Sequence, residues 1–256
     1  MRKDYPILEY DPDVEALIEP RKTIKPLAGI PAHCVICFFQ DVIDHFVEQG
    51  LAREIKSLNS EIGGHPIYEF QFGDHQPVAL FHPGIGAPLA AGLLEEVIAL
   101  GCSKFIVCGG AGVLDREIAV GHLVVPIAAV RDEGTSYHYL PPAREVTPSP
   151  QAVAAIEAVL KRRRVDYLRA KTWTTDAFFR ETRQKIALRR SEGCLTVEME
   201  AAAMFAVARF RKVHLGQILY GGDNLDNDTW DNRDWVKRWS VREQLVGLAV
   251  EACLAM

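Results

Sequence analysis

The stretch TVEMEAAAMF (residues 196–205) decides the fold, because it changes from an extended pattern to a helical one within a few residues. Small and apolar side chains recur at the spacing of one helix face at Ala201, Met204, Phe205 and Ala208. This spacing predicts a buried helix from about Glu200 onward. Glu198 and Glu200 are two residues apart, so an extended lead-in puts both on one side. We expect Glu200 at the helix N-terminus, where free N–H groups favour an anion.

These carboxylates indicate sugar binding. A carboxylate at a helix start accepts hydrogen bonds from vicinal sugar hydroxyls, while the thioether of Met199 packs on the apolar face of the ring. Taken alone, the same residues have a simpler interpretation as a helix-start charge and a core methionine. The choice between the two depends on the rest of the chain.

Length and composition indicate one soluble enzyme-sized domain. The 256 residues, 48% of them hydrophobic, are enough to bury a large core in a single α/β domain. A formal net charge of -5 at pH 7 argues against a nucleic-acid partner. No apolar run reaches the length of a membrane span, and the N-terminus has no hydrophobic signal region, so we predict a cytoplasmic protein without membrane contact.

The first residues differ from the rest. Residues 1–31 are rich in Pro, Asp and Glu without periodicity, which predicts an N-terminal arm that wraps a neighbouring subunit. Residues 32–256 are expected to form the domain. Within it, Cys34 and Cys37 have the spacing of a redox or zinc pair, but β-branched residues separate them and no second Cys/His pair follows at ligand spacing. We expect buried thiols and no metal.

Short apolar runs alternate with helically spaced segments, which is typical of an α/β fold. Strands are predicted over residues 34–39, 66–72, 77–82, 104–108, 121–130, 167–173 and 214–220. Helices are predicted over residues 41–52, 89–100, 150–161, 200–208 and 245–256. Two glycine-rich turns follow strands, PGIGAP (residues 83–88) and GGAGVL (residues 109–114). Glycines in such segments let backbone amides approach a ligand. The alternatives are that residues 83–88 serve only strand–helix packing and that residues 109–114 form only a tight turn.

The chain resembles the nucleoside phosphorylase/nucleosidase superfamily, which includes purine nucleoside and uridine phosphorylases and methylthioadenosine/adenosylhomocysteine nucleosidase. The resemblance rests on Glu198-Met199-Glu200 with its small-residue helix and on three further stretches in the same order: residues 84–86, 109–112 and 176–178. It implies a single-domain three-layer α/β/α fold with a mixed, partly barrel-like central sheet. It also implies that the protein cleaves the N-glycosidic bond of a nucleoside.

The resemblance assigns roles to individual residues. Glu198, Met199 and Glu200 are expected to bind ribose, and Gly110 and Ala111 to line ribose and phosphate. Phe178 is expected to stack on the base, since aromatic faces tolerate any base. Asp223, in a segment that resembles the Ser-Asp segment of purine-type members, is the expected proton donor to the leaving base, although an Asp there also caps turns.

Specificity and nucleophile stay open at this stage. Uridine phosphorylases read uracil with a Gln-x-Arg pair. Here Arg180 and Arg183 are candidate base contacts, but that spacing is not reproduced, so purine and pyrimidine both remain open. Gly84, Gly86 and His82 are the expected phosphate pocket. The arginines that hold phosphate in phosphorylases are missing, with Val42 and Val107 at two of their places.

The missing arginines favour water as the nucleophile. Against this, the nucleosidase activates its water with a glutamate at a strand end, and here the nearest carboxylate to that place is Asp41. Overall similarity favours phosphorolysis to a free base and ribose 1-phosphate, with inorganic phosphate as co-substrate and no other cofactor. The alternatives are a phosphate-independent nucleosidase and a non-catalytic nucleoside-binding protein. By resemblance, we expect a homo-oligomer, either a dimer or a hexamer built as a trimer of dimers, acting in purine salvage.

Overall fold

Alternating side chains of the central strands create two hydrophobic cores in the computed structural model, which describes residues 2–256. In the strand Lys104–Val113, Phe105 and Val107 face one core, while Ile106 and Cys108 face the other. This period of two is the geometry of a strand buried on both faces. The central sheet therefore has helices on both sides.

The sheet contains ten strands. Their bounds are β1 His33–Cys37, β2 Ala52–Ser60, β3 Gly63–Phe70, β4 Val78–Phe81, β5 Lys104–Val113, β6 Leu123–Asp132, β7 Glu145–Val146, β8 Tyr167–Thr175, β9 Cys194–Glu198 and β10 His214–Asn224. The helices are α1 Pro20–Thr23, α2 Gln40–Glu48, α3 Ala87–Leu100, α4 Ser136–Tyr139, α5 Pro150–Arg163, α6 Arg183–Ser191, α7 Ala201–Arg211 and α8 Trp239–Leu254. Three short 3-10 segments are Pro6–Leu8, Phe178–Arg180 and Trp235–Lys237.

Part of the sheet closes on itself. Strand β5 pairs with β10, and the ring continues through β6, β8 and β9 back to β5, giving a five-stranded barrel. Strands β1, β4, β3 and β2 extend from β5 as an open sheet. Helices α3 and α7 cover one face, and α2, α5 and α8 cover the other. The predicted three-layer fold with a mixed, partly barrel-like sheet is confirmed.

Several predicted element boundaries were wrong, and the glycine-rich segment differs most. Residues 109–112 are not a turn, because β5 continues through them to Val113 and pairs there with β9 and β10. Likewise β10 continues past Tyr220 to Asn224. The predicted helix 41–52 ends at Glu48, since Gly50 adopts a φ of 72° and Ala52 begins β2, which was not predicted.

The N-terminal arm lies against the domain through buried charges. Arg211 on α7 donates to Glu19 from the arm at 3.2 Å and to Glu95 on α3 at 2.6 Å. Contact of the arm with another subunit stays a prediction. Across residues 2–256, the helices are all too short or too polar to cross a bilayer.

Candidate active site

Two adjoining cavities open where β5, β9 and β10 meet. The larger has a volume of about 680 Å³ and the smaller about 200 Å³. Their walls share four residues, namely Gly110, Glu198, Met199 and Trp235. Asp223 and Phe178 line the larger cavity, and Glu200 lines the smaller one. The predicted proton donor and the predicted sugar ligand therefore line different cavities, which share these four wall residues and which we together call the cleft.

The strand register explains why Asp223 faces this cleft. Strand β10 follows β5 regularly up to the pair Gly221 and Ala111, and the register then shifts before Asn224. Such a bulge changes the direction of the side chains within it. Gly112 on β5 makes room, because a Cβ there would lie 2.6 Å from Leu225 and 3.5 Å from Asp223 Oδ1. The glycine thus permits the close approach of the two strands.

Glu198 holds the start of helix α7. Its Oε2 accepts from the backbone N–H groups of Glu200 at 2.8 Å and Ala201 at 2.6 Å, and its Oε1 accepts from the Thr174 hydroxyl at 2.6 Å. These bonds satisfy N–H groups that have no partner inside the helix. Burial raises the pKa of Glu198 above its usual range. Its carboxylate therefore orients the backbone that carries Glu200.

Glu200 is anchored by backbone amides across the cleft. Its Oε1 accepts from the N–H of Gly86 at 2.6 Å and its Oε2 from that of Met199 at 3.3 Å. Burial, and next the charge of Glu198, raises its pKa. Each carboxylate oxygen has a second acceptor direction, so the group can still accept from a ligand hydroxyl. Met199, partly exposed, lines both cavities beside it.

The glycine turn after β4 supports this carboxylate. Gly84 and Gly86 have φ angles of 75° and 90°, so the predicted sharp backbone turn is present. Their amides are used within the chain, since Gly84 donates to His82 Nδ1 at 3.0 Å and Gly86 donates to Glu200. These glycines and His82 line neither cavity, whereas Ile85 lines the smaller one. The turn contacts the site through Glu200.

The arginines proposed as base contacts point elsewhere. Arg183 pairs with Asp228 at the surface, with N–O distances of 2.7 and 3.5 Å, and Arg180 is exposed. Neither lines the larger or the smaller of these two cavities. Phe178 and Phe179 do line the larger one and pack on each other with ring centroids 4.1 Å apart. Phe178 remains half-exposed, as an open stacking surface requires.

Sequence reasoning missed Glu181, which lines the larger cavity with Asp223. Burial, and next the charge of Asp223, raises the pKa of Glu181 to about 7. The nearby negative charge of Asp223 therefore opposes ionisation of Glu181. Trp230 was also missed, and its indole N–H donates to Asp223 Oδ2 at 2.7 Å. The only sequence signal for Glu181 was its position just after the aromatic pair.

The smaller cavity has two polar wall residues that sequence reasoning also missed, Gln217 on β10 and Arg242 on α8. Neither Gln217 nor Arg242 lies in a recognisable sequence motif. Among residues 2–256 there is no cluster of side chains able to hold a metal ion. The six cysteines are buried and unpaired, including Cys34 and Cys37 on β1.

The structure thus combines a closed mixed sheet, a buried carboxylate and an aromatic-walled cavity. The chain belongs to the phosphorylase superfamily, whose family model matches residues 32–255. This membership confirms the family predicted from the sequence.

Individual relatives are distant. The chain is 30% identical to a guanosine phosphorylase of Halorubrum lacusprofundi over 68% of this chain and 67% of that protein. It is 30% identical to a uridine phosphorylase of Treponema pallidum over 56% of this chain and 60% of that protein. Part of each relative's length therefore has no counterpart in the match.

Solved structures show the same fold. An AMP nucleosidase from Bacteroides thetaiotaomicron has a TM-score of 0.71 at 23% identity, covering 88% of both chains. A uridine phosphorylase from Vibrio fischeri has a TM-score of 0.73 at 22% identity, covering 91% of this chain and 95% of that one. At these identities the likeness concerns the fold and leaves substrate and nucleophile undetermined.

Proposed function

We propose that the protein catalyses phosphorolysis of a nucleoside to a free base and ribose 1-phosphate. The observation that carries the proposal is the pair of adjoining cavities, with Glu200 lining the smaller and Asp223, Glu181 and Phe178 lining the larger. A sugar-binding carboxylate and a protonated carboxyl are the groups that N-glycosidic cleavage requires. Binding alone would need no proton donor, which argues against a nucleoside sensor.

In the proposed reaction the ribose lies over Met199 with its hydroxyls donating to Glu200. The base stacks on Phe178 in the larger cavity. As a phosphate oxygen bonds to C1′, the C1′–N bond breaks and its electron pair goes to the base. The leaving base takes a proton from Asp223, whose Oδ2 is held by Trp230. Glu181 lines the same cavity, and its raised pKa makes it the proposed source of the proton that Asp223 regains between turnovers.

Hydrolysis is the second candidate. It is favoured by Val42 and Val107, which stand where phosphorylases place phosphate-binding arginines. The AMP nucleosidase among the structural neighbours has the same fold, which is compatible with either nucleophile. The base on which the enzyme acts is left open, because Arg180 and Arg183 line neither of the two adjoining cavities.

Product analysis tests this proposal. The protein is incubated with purine and pyrimidine nucleosides, with and without inorganic phosphate, and free base and sugar phosphate are measured. Base release that depends on phosphate is expected. Base release at an equal rate without phosphate would establish hydrolysis, and nucleoside binding without base release would overturn catalysis.

The variant Asp223→Asn tests the proton donor. It keeps the acceptor for Trp230 but cannot donate a carboxyl proton, so kcat should fall roughly 10²- to 10⁴-fold. Asp74→Asn makes the same change on an exposed turn far from the cleft and should keep full activity. Full activity of Asp223→Asn on every nucleoside cleaved would remove Asp223 from the mechanism.

We also infer a cytoplasmic homo-oligomer with a place in purine salvage. Six buried, unpaired thiols suit a reducing compartment. The arm exposes Val14, Leu17 and Ile18, which suits burial against a second copy of the chain. Light scattering that gives the monomer mass at micromolar concentration would contradict the assembly.

A further inference from the structure

Arg242 reaches the smaller cavity from the last helix of the chain. Its side chain is buried, with 8% of the residue exposed. Nη1 donates to both carboxylate oxygens of Asp41, at 2.9 and 2.8 Å, and Nε donates to the Tyr220 hydroxyl at 3.3 Å. The guanidinium lies 4.9 Å from the ring centroid of Phe39 and 5.7 Å from that of Trp235. The cation is therefore held in one place before any ligand binds.

Part of the Arg242 guanidinium has no hydrogen-bond acceptor among residues 2–256. Arginine has five N–H donors in a fixed fork, and Nη1 and Nε use three of them. The two donors of Nη2 have no protein acceptor among residues 2–256. Asp41 lies outside the cavity wall, whereas Arg242 forms part of it. The anchored arginine thus keeps donors for an acceptor inside the cavity.

Gln217 supplies the complementary group. It lies on β10 in the same wall, is 1% exposed, and its Oε1 has no hydrogen-bond partner among the described residues. A buried acceptor without a partner is unfavourable, because it has lost its hydrogen bonds to water. An occupant that accepts from Arg242 and donates to Gln217 would satisfy both side chains. A hydrogen phosphate ion has both kinds of oxygen.

The size of the cavity distinguishes such an ion from a single water molecule. Its volume is about 200 Å³, whereas one water occupies about 30 Å³ of liquid. The cavity also adjoins Glu200 and Met199, so an ion there faces the sugar side of the cleft. No arginine occupies the positions of Val42 and Val107, which leaves Arg242 as the cation in this wall.

We propose that Arg242 and Gln217 bind the phosphate that attacks the sugar, with Arg242 Nη2 donating to a phosphate oxygen and Gln217 Oε1 accepting from its P–OH. This inference rests on the proposed phosphorolysis and assigns its nucleophile site to helix α8 and strand β10. A phosphoryl group also occurs at the 5′ position of a nucleotide, so the test separates the two sources.

The test compares Arg242→Gln with Asp41→Asn, because both break the same ion pair but only the first removes the donors in the cavity. Arg242→Gln should raise the KM for inorganic phosphate roughly 10- to 100-fold, the worth of a charge-assisted hydrogen bond, with little change in the nucleoside KM. Asp41→Asn keeps the cavity donors of Arg242 and loosens only their half-exposed anchor, so it should raise the phosphate KM by less than Arg242→Gln does. Arg209→Gln, an exposed arginine, controls for lost charge.

Binding is measured separately from turnover. Calorimetric titration with inorganic phosphate should show binding to wild type and Asp41→Asn, and weakened binding to Arg242→Gln. Gln217→Met, similar in length, should also weaken it. Phosphate-dependent turnover with an unchanged phosphate KM in Arg242→Gln would overturn this inference while leaving phosphorolysis intact. Phosphate-independent turnover would overturn phosphorolysis itself. A raised KM for nucleoside 5′-monophosphates, with unchanged phosphate binding, would reassign the site to the nucleotide.

Discussion

Glu200 shows how one residue depends on the backbone around it. Two amides from different parts of the chain, Gly86 and Met199, fix its carboxylate at the edge of the cleft. Glu198 in turn fixes the backbone N–H of Glu200. The carboxylate of Glu200 is therefore fixed before any ligand enters, which reduces the ordering cost of the sugar binding proposed for it.

The variant Glu200→Gln keeps the size of the side chain and removes its charge. Hydrogen bonds to a charged acceptor contribute about 1.5–3 kcal/mol, so kcat/KM for a ribonucleoside should fall roughly 10- to 100-fold. Steady-state kinetics with a ribonucleoside and its 2′-deoxy analogue provide the measurement. The variant should discriminate less between the two substrates than wild type does. An unchanged ratio would show that Glu200 does not hold the 2′-hydroxyl.

Glu181 makes stability depend on pH. Its pKa is about 7 in the folded state against 4.5 for the free side chain. The folded protein thus binds this proton more tightly, and stability falls as pH rises from 4.5 through 7. Glu181→Gln removes that loss. Relative to wild type it should gain about 1 to 3 kcal/mol of unfolding free energy between pH 4.5 and pH 8, with the partial exposure of Glu181 keeping the gain below the full value.

Denaturant unfolding at a series of pH values measures this gain. Because the Asp223 charge is the second cause of the raised pKa, the gain should shrink in an Asp223→Asn background. A pH-independent difference between wild type and Glu181→Gln would mean that the carboxyl titrates normally.

Sequence reasoning could predict Glu200, Met199, Phe178 and Asp223 because each lies in a short motif. It could not predict Gln217 or Arg242, because the residues next to each of them in the sequence form no recognisable motif. Arg242 is paired with a residue 201 positions earlier in the chain, so no local pattern marks it. Glu181 was not predicted as a site residue, although it lies in the sequence between Arg180 and Arg183, which were candidate base contacts.

At the element scale, glycines set how closely the strands and helices approach. Gly216 on β10 faces α5, and a Cβ there would lie 2.9 Å from Ala152 Cβ and 3.1 Å from Ile156 Cδ1. The backbone of α5 or β10 would have to move to relieve this contact. The close packing of helix on barrel therefore depends on the missing side chain.

Gly216→Ala should destabilise the protein by about 1–3 kcal/mol, the usual cost of overpacking a core. Gly92→Ala is the matched control, since Gly92 lies inside helix α3 with open space around its Cβ. That variant should stabilise by about 0.5–1 kcal/mol through helix propensity. Urea unfolding measures both. Equal effects of the two substitutions would contradict this packing.

The glycine segment of β5 also shows the limit of prediction at this scale. Three glycines in four residues are typical of a turn, yet residues 109–112 form an extended strand. None of these glycines has a positive φ. Here the glycines serve close packing, with Gly112 near Leu225 and Gly110 near Trp235. Pairing with β9 and β10, distant in sequence, outweighed the local turn preference.

In the whole molecule, barrel closure brings distant parts of the chain to one cleft. Strand β5 contributes Gly110, β9 leads to Glu200, and β10 carries Asp223. The last helix adds Arg242, anchored by Asp41 from the first part of the domain. The fold class and most of the central strands could be predicted from the alternating pattern and the family resemblance, whereas β2, β7 and α6 were not predicted. The two adjoining cavities could not, because their walls combine residues from distant parts of the chain.

The central claim is that Glu200 and Asp223 act on one bound nucleoside. A crystal structure of the protein with an inert nucleoside analogue and phosphate tests it most directly. We expect the sugar hydroxyls within hydrogen-bond distance of Glu200, the base against Phe178 with a nitrogen near Asp223, and the phosphate beside Arg242. An analogue that contacts only one of the two carboxyls, or lies outside the cleft, would contradict the claim.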